Sequence, residues 1–290
     1  MRLRRAEEED SHSIVSLRLR GRSISRVERL RRFWVWGDEE AFKVYLRILR
    51  RLGGEALVAE EGDRIVGEVE LVPDRPPGER ERAFIVSFAA LPRDKRVEEA
   101  LLKRCEELAS SWRLPSLDAV PEPSMERVFR SAGFFKSGRQ VLAEGRARFT
   151  PEICRVAEAS PGDYPAGMGV LVGQVMPGRL AWEVLWAEAE AGVMPPPSAF
   201  SMRVGSWEFA AVLFSRSGSG EAELILWADP RVGPAQIFNC VEACLTLAAR
   251  SGFRTVRARA QDRVFMALEA AGFGERGERS WMKKWLRTTR

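Results

Sequence analysis

The spacing of apolar residues changes several times along the chain, and each change marks an element. Residues 84–91 are almost continuously apolar and read as a buried strand. A short basic loop follows, Pro92, Arg93, Asp94, Lys95 and Arg96. Val97, Leu101, Cys105, Leu108 and Trp112 then recur at helical spacing. A strand that feeds a loop into a helix N-terminus gathers unpaired N–H groups at the positive helix end, which suits an anion. The same order returns later: strand over 223–228, loop over 229–234, helix over 235–250.

Around the first of these runs, residues 1–5 alternate as a short strand, and Ser11 is placed to cap a helix bearing Ile14, Val15 and Leu17. Ile24, Val27, Leu30 and Phe33 predict a second helix. Phe42, Tyr45, Leu46, Leu49 and Leu52 predict a third, stopped by Gly53-Gly54. Residues 55–60 and 64–72 alternate as a hairpin about Glu61-Gly62-Asp63. A strand over 116–120, a short helix over 125–132 and a last strand or hairpin over 134–144 complete this half. Residues 145–168 turn loop-rich, with a short helix expected after Thr150-Pro151. Beyond them the pattern predicts strand 170–175, helix 179–191, two short strands or one hairpin within 202–214, the second strand–loop–helix, strand 255–259, helix 263–271 and a closing strand over 280–286. Glu126-Arg127-Val128-Phe129 precedes Ala132-Gly133-Phe134, and Asp262-Arg263-Val264-Phe265 precedes Ala271-Gly272-Phe273. One repeat per half is a duplicated domain, not a solenoid. The expected domains are 1–144 and 145–290.

Composition narrows the function classes. No run approaches the roughly 18 apolar residues of a membrane helix, and the charged start, Met1-Arg2-Leu3-Arg4-Arg5, lacks the apolar core of a signal peptide. Four scattered cysteines (Cys105, Cys154, Cys240, Cys244) fit core packing in a reducing cytoplasm. With His12 the only histidine, neither a Ser/His/Asp set nor a metal site is expected. The net charge of +5 is carried mainly by arginine, and amides are scarce, as in a thermophilic or GC-rich source. Arg18, Arg20, Arg22, Arg26, Arg29, Arg31 and Arg32 form the purest basic run. It reads as a solvated helix face, so nucleic acid is not an expected partner.

The element order, the opening Leu3-Arg4-Arg5-Ala6-Glu7-Glu8-Glu9-Asp10, the hairpin Ala56-Leu57-Val58-Ala59…Arg64-Ile65-Val66-Gly67 and the Ala-Gly-Phe helix ends resemble the GNAT superfamily of N-acetyltransferases. The resemblance covers nearly all of 1–144, 221–286 fairly well, and 145–220 weakly. It implies an α/β (α+β) fold of two GNAT-like domains, each a mixed, mostly antiparallel sheet flanked by helices. It also implies acetyl-CoA as co-substrate, an amine acceptor that the sequence does not identify, and no metal.

The family's coenzyme loop, Gln/Arg-x-x-Gly-x-Gly/Ala, wraps the pyrophosphate with backbone amides. In the first copy Pro92-Arg93-Asp94-Lys95-Arg96-Val97-Glu98-Glu99 lacks the glycine and places acids in the first helical turn. In the second, Pro230-Arg231-Val232-Gly233-Pro234-Ala235 keeps the Gly-x-Ala end. The resemblance therefore ranks Leu226, Trp227, Ala228, Arg231, Val232, Gly233, Pro234 and Ala235 ahead of Phe88, Ala90, Arg93, Lys95, Arg96 and Val97 as coenzyme residues. The family's tyrosine acid is replaced by Phe129 and Leu268. Carboxylates on central strands (Glu68, Glu70, Glu208, Glu223) are the candidate bases, each also readable as a solvated strand residue. The function expected is acetyl transfer from acetyl-CoA to an amine. The alternative is a catalytically inactive GNAT-like scaffold or acyl-CoA sensor, since both loops are shortened and both tyrosines absent.

Overall fold

A computed structural model describes residues 1–20, 39–91, 94–150, 155–173, 176–215 and 220–286. The predicted helix over Ile24–Phe33 spacing, arginines 22, 26, 29, 31 and 32, Arg93 and Cys154 lie outside the described residues. So do the side chain of Arg20 and the helix start at 151–154. The chain forms two compact units. One comprises Met1–Arg75, Arg80–Ser137 and Ser280–Arg290, the other Pro76–Glu79 and Gly138–Arg279.

The first unit's sheet begins with β1 (Arg2–Arg5), β2 (Glu55–Glu61), β3 (Arg64–Asp74), β4 (Arg82–Ala90) and β5 (Ser116–Ala119), in that spatial order. Neighbours are antiparallel except β4 and β5, which are parallel. Helices α1 (Ser11–Arg20) and α2 (Glu39–Arg51) precede β2, and α3 (Lys95–Ser111) links β4 to β5. The α2 stripe is as read: Phe42, Tyr45, Leu46 and Leu49 are buried, with Arg50 and Arg51 in the last turn. Ser11 is not the cap. A turn of 3-10 helix over Glu8–Asp10 comes first, and the Asp10 carboxylate accepts the Glu7 amide at 2.8 Å. Val97, Leu101, Leu102 and Cys105 of α3 pack with Leu57, Val69, Leu71 and Ile85 in one core. On the opposite face α1 meets β3 and β4. A short helix α4 (Glu126–Ser131) follows β5.

The second unit uses β6 (Phe135–Arg146) from Gly138 on, with β7 (Arg155–Glu158), β8 (Gly169–Val172), β9 (Ser198–Val204), β10 (Trp207–Phe214), β11 (Glu221–Ala228) and β12 (Thr255–Gln261). Their order is β6-β12-β8-β11-β10-β9-β7. Helices α5 (Gly178–Glu190), α6 (Pro234–Arg250) and α7 (Asp262–Ala270) complete it, and the long β13 (Gly274–Trp285) ends the described chain. Strand β7 falls at the edge, on β9.

The units are not the contiguous halves 1–144 and 145–290. Gln140–Arg146 spacing on β6 pairs with β12, so Val141 and Ala143 fill the second core. Met282 to Trp285 of β13 pair with β5, and Met282 fills the first core. Each half thus supplies a closing strand to the other half's sheet.

Candidate functional site

β4 and β5 pair at only three positions, Ala83 with Leu117, Phe84 with Asp118 and Ile85 with Ala119, and β5 then ends. β4 continues to Ala90 against β3 alone, with a register shift between Glu70 and Leu71 that leaves Val86 as a bulge residue. Among the described residues, no strand covers the other edge of β4 from Val86 to Ala90. Such an edge presents backbone N–H groups to whatever enters it. Half-buried Phe88 flanks it, with its ring 5.5 Å from that of Phe129, which is 5.1 Å from Phe134.

The loop after this edge is already occupied electrostatically. Asp94 is the N-cap of α3 and accepts the amides of Arg96 at 3.2 Å and Val97 at 3.3 Å. Lys95 and Arg96 are exposed, and Val97 is buried in the core. Burial and then the Asp94 charge push the Glu98 carboxyl up.

Behind the same edge lies a buried polar cluster. Glu68 and Glu70 point to one face of β3, opposite Ala89 and Ser87 of β4. They are not solvated: Glu68 is 1% exposed, Glu70 0% and the Arg18 that caps them 1%. Arg18 donates through Nε to Glu68 Oε1 at 2.9 Å and through Nη2 to Glu68 Oε2 at 3.3 Å, and Nη2 also reaches Glu70 Oε1. Ser87 Oγ donates to Glu68 Oε1 at 2.9 Å. The guanidinium lies 5.0 Å over the Phe42 ring. Two carboxylates thus face one cation. Burial holds the Glu70 carboxyl above the ordinary range against the pull of Arg18, and the Glu68 charge adds to the rise. The Tyr45 phenol is pushed up by burial and then by Glu70. The Tyr45 hydroxyl is a hydrogen-bonding neighbour of the Glu70 carboxyl and works against the rise that burial imposes on it. The sequence signals two carboxylates on one face of β3. It gives no sign of Arg18, Tyr45 or Ser87, because those partners come from distant segments.

The second unit differs at the equivalent place. β11 and β12 also pair at only three positions, Glu221 with Thr255, Ala222 with Val256 and Glu223 with Arg257. Here the gap beyond them is filled by β8. Val172 faces Leu226 and Ala260, Val170 faces Trp227, and Gly169 faces Ala228. The Gly173 amide donates to the Arg259 carbonyl at 2.6 Å. Gly173 has φ +82°, and a Cβ there would stand 2.7 Å from the Leu224 carbonyl, so only glycine lets β8 lie this close. Since β10 holds the other edge of β11, Leu226, Trp227 and Ala228 are paired on both sides. Trp227 packs on Trp182, ring centroids 5.6 Å apart.

The loop after β11 is closed on itself. The Arg231 amide donates to Asp229 Oδ1 at 2.8 Å, the Arg231 side chain grips the same carboxylate, and the Val232 amide donates to the Asp229 carbonyl at 3.0 Å. Gly233 caps α6, Pro234 has no N–H, and Pro230 abuts Gly78. Ala235 follows Pro234 in the first turn of the helix. Glu208 is exposed and pairs with Arg203. Burial pushes the Glu223 carboxyl up to about 8 despite Arg259 and Arg257, and its Oε2 has no hydrogen-bond partner among the described residues.

Cys105, Cys240 and Cys244 are buried and form no disulfide among the described residues. His12 Nδ1 lies 2.6 Å from Glu39 Oε1 at the surface. Among the described residues there is no cluster of three metal-ligating side chains, and no helix is long and apolar enough to cross a membrane.

Solved structures share this architecture across the chain. A tandem GNAT protein from the clavulanic acid biosynthesis pathway matches with TM-score 0.60 at 12% identity, covering 98% of each chain. A GCN5-related N-acetyltransferase from Anabaena variabilis matches with TM-score 0.60 at 14% identity, over 99% of this chain and 73% of that one. A GCN5-related N-acetyltransferase from Sphaerobacter thermophilus matches with TM-score 0.56 at 13% identity, over 99% and 96%. No family model matches the sequence, and no curated protein does. The uncovered β4 edge and the parallel pair that parts after three residues belong to a chain that has, from end to end, the fold of the GNAT N-acetyltransferases.

Proposed function

We propose that this protein is an acyl-CoA-dependent N-acyltransferase, moving acetyl from acetyl-CoA to an amine, and that the first unit carries the chemistry. The observation that supports this most is the uncovered edge of β4, backed by buried carboxylates. Strand β8 fills the corresponding gap in the second unit, and both amides Arg231 and Val232 are spent on Asp229. This reverses the order of preference that the Gly-x-Ala loop suggested.

The first unit offers a fit at three places. Backbone N–H groups between Val86 and Ala90 suit a thioester carbonyl oxygen, which gains charge as an amine adds. Phe88 and Ala90 line the same edge. Lys95 and Arg96 supply positive charge near the α3 N-terminus for phosphates. The coenzyme supplies an activated acyl group. The chain's own task is to position the amine and keep it unprotonated. Glu70 is our candidate for that base, because burial raises its carboxyl to about 7 and it stands opposite Ser87 of β4, behind the uncovered edge. Arg18 and Ser87 hold Glu68 as the fixed anion beside it.

A second reading, an inactive scaffold or acyl-CoA sensor, draws support from Asp94. Its carboxylate occupies the Arg96 and Val97 amides that phosphate would need. Calorimetric titration with acetyl-CoA on Arg96→Glu and Gly233→Glu, followed by a thiol-release assay with a panel of amines, separates these readings. Binding lost in Arg96→Glu only, with thiol release, supports transfer in the first unit. Binding without release for any amine supports the sensor.

A further inference from the structure

The second unit carries a groove of about 690 Å³ that the acyl-transfer reading does not use. Its volume falls within the range of small-molecule sites, roughly 300–1,000 Å³. Arg146, Arg148, Arg276 and Thr255 line it together with Glu144 and glycine backbone at Gly272 and Gly274. Glu144, the one acid on the lining, is committed: it accepts from Arg257 Nε at 3.1 Å and from Arg276 Nη2 at 3.1 Å. Arg148 is tied to Glu242 and to the Ala271 carbonyl. Arg146 is exposed and has no carboxylate in ion-pair range among the described residues. It stands directly across the β6–β12 ladder from Thr255, whose buried Oγ1 has no hydrogen-bond partner among the described residues. A Cβ on Gly274 would meet nothing within 4 Å, so that wall leaves room for a ligand.

We propose that this groove binds a small phosphorylated molecule, gripped by Arg146 and Arg276 with the Thr255 hydroxyl as a further polar partner. Guanidinium forks match the oxygens of a phosphate; with Arg148 balanced by Glu242 and Glu144 held by Arg257 and Arg276, the Arg146 charge leaves the wall net positive. A neutral or cationic ligand would face that wall at a cost.

The test is calorimetric titration of the intact protein with inorganic pyrophosphate at low ionic strength. The parent, Arg146→Glu, Arg276→Ala and, as a charge control, Arg203→Ala are compared. Arg203 is exposed on β9, outside the groove. Saturable binding that weakens about tenfold or more in Arg146→Glu and Arg276→Ala, but not in Arg203→Ala, is the expected result. Unchanged melting curves for the variants show that the fold is kept. No binding by the parent, or equal loss in Arg203→Ala, overturns the proposal. Acetyl-CoA affinity is read on the same variants. It is expected to stay constant, and a parallel fall would make the groove part of the coenzyme site instead of a separate one.

Discussion

Trp281 sits near the end of the chain yet packs in the unit built mainly from its beginning, and it can be perturbed in two steps. Its ring is 4% exposed and stands edge-on to Phe84 of β4, centroids 5.5 Å apart. Its Nε1 donates to Asp118 Oδ2 on β5 at 2.8 Å. Trp281→Phe keeps much of the ring and removes the hydrogen bond. Asp118 retains Ser116 Oγ at 3.2 Å and Lys283 Nζ at 3.5 Å. The loss of one bond to a charged group then costs about 1.5–3 kcal/mol. Trp281→Ala adds a cavity against Phe84 and raises the cost to about 3–5 kcal/mol. Urea denaturation gives the totals, and native-state hydrogen exchange gives the place. Peptides spanning Arg82–Ala90 and Ser116–Ala119 are expected to lose protection, while Glu221–Ala228 and Thr255–Gln261 keep theirs. Loss of protection in β11 and β12 with β4 and β5 unaffected would refute the assignment of the closing strand to the first unit.

Three further outcomes follow from the buried charges. Arg18→Met leaves two buried carboxylates without their cation and is expected to destabilise by about 3–5 kcal/mol, with Glu68→Gln in the same chain restoring part of it; additive losses on denaturation would contradict the cluster. Glu70→Gln is close to isosteric and is expected to lower thiol release about 10²–10⁴-fold with the fold intact, so undiminished turnover would remove Glu70 as the base. Glu223 has a folded-state value of about 8, above that of a free carboxyl, so its proton favours the folded state and that contribution fades as pH rises from about 4 toward 8. Glu223→Gln is therefore expected to stabilise the protein relative to the parent at pH 9 and to change it little at pH 5; an equal melting shift at both would show that Glu223 is not held protonated.

The local elements were legible where one segment carries its own signal. The strand into β4, the stripe Val97, Leu101 and Cys105 on α3, and the buried face of α2 follow from spacing alone. The fold resemblance followed from their order. What the sequence could not carry is pairing between distant segments. Glu68 and Glu70 read as solvated alternation because the counter-charge, Arg18, lies fifty positions away and looks like one member of a basic run. Val170 and Val172 were readable as strand, but not as the strand that fills the gap between β11 and β12. The exchange of β6 and β13 was hidden because each pairs with a strand more than a hundred positions away, β12 and β5. The loop after β11 looked the better anion site by its glycine. Its amides are spent on Asp229, a partner adjacent in sequence whose geometry only the folded loop defines.

The central claim is that the uncovered edge of β4 receives the thioester. Hydrogen–deuterium exchange of the intact protein with and without saturating acetyl-CoA tests it most directly. The account predicts new protection over Arg82–Ala90 and the first turn of α3, with Glu221–Ala228 unchanged. Protection confined to β11 and the start of α6, or none anywhere, would contradict it.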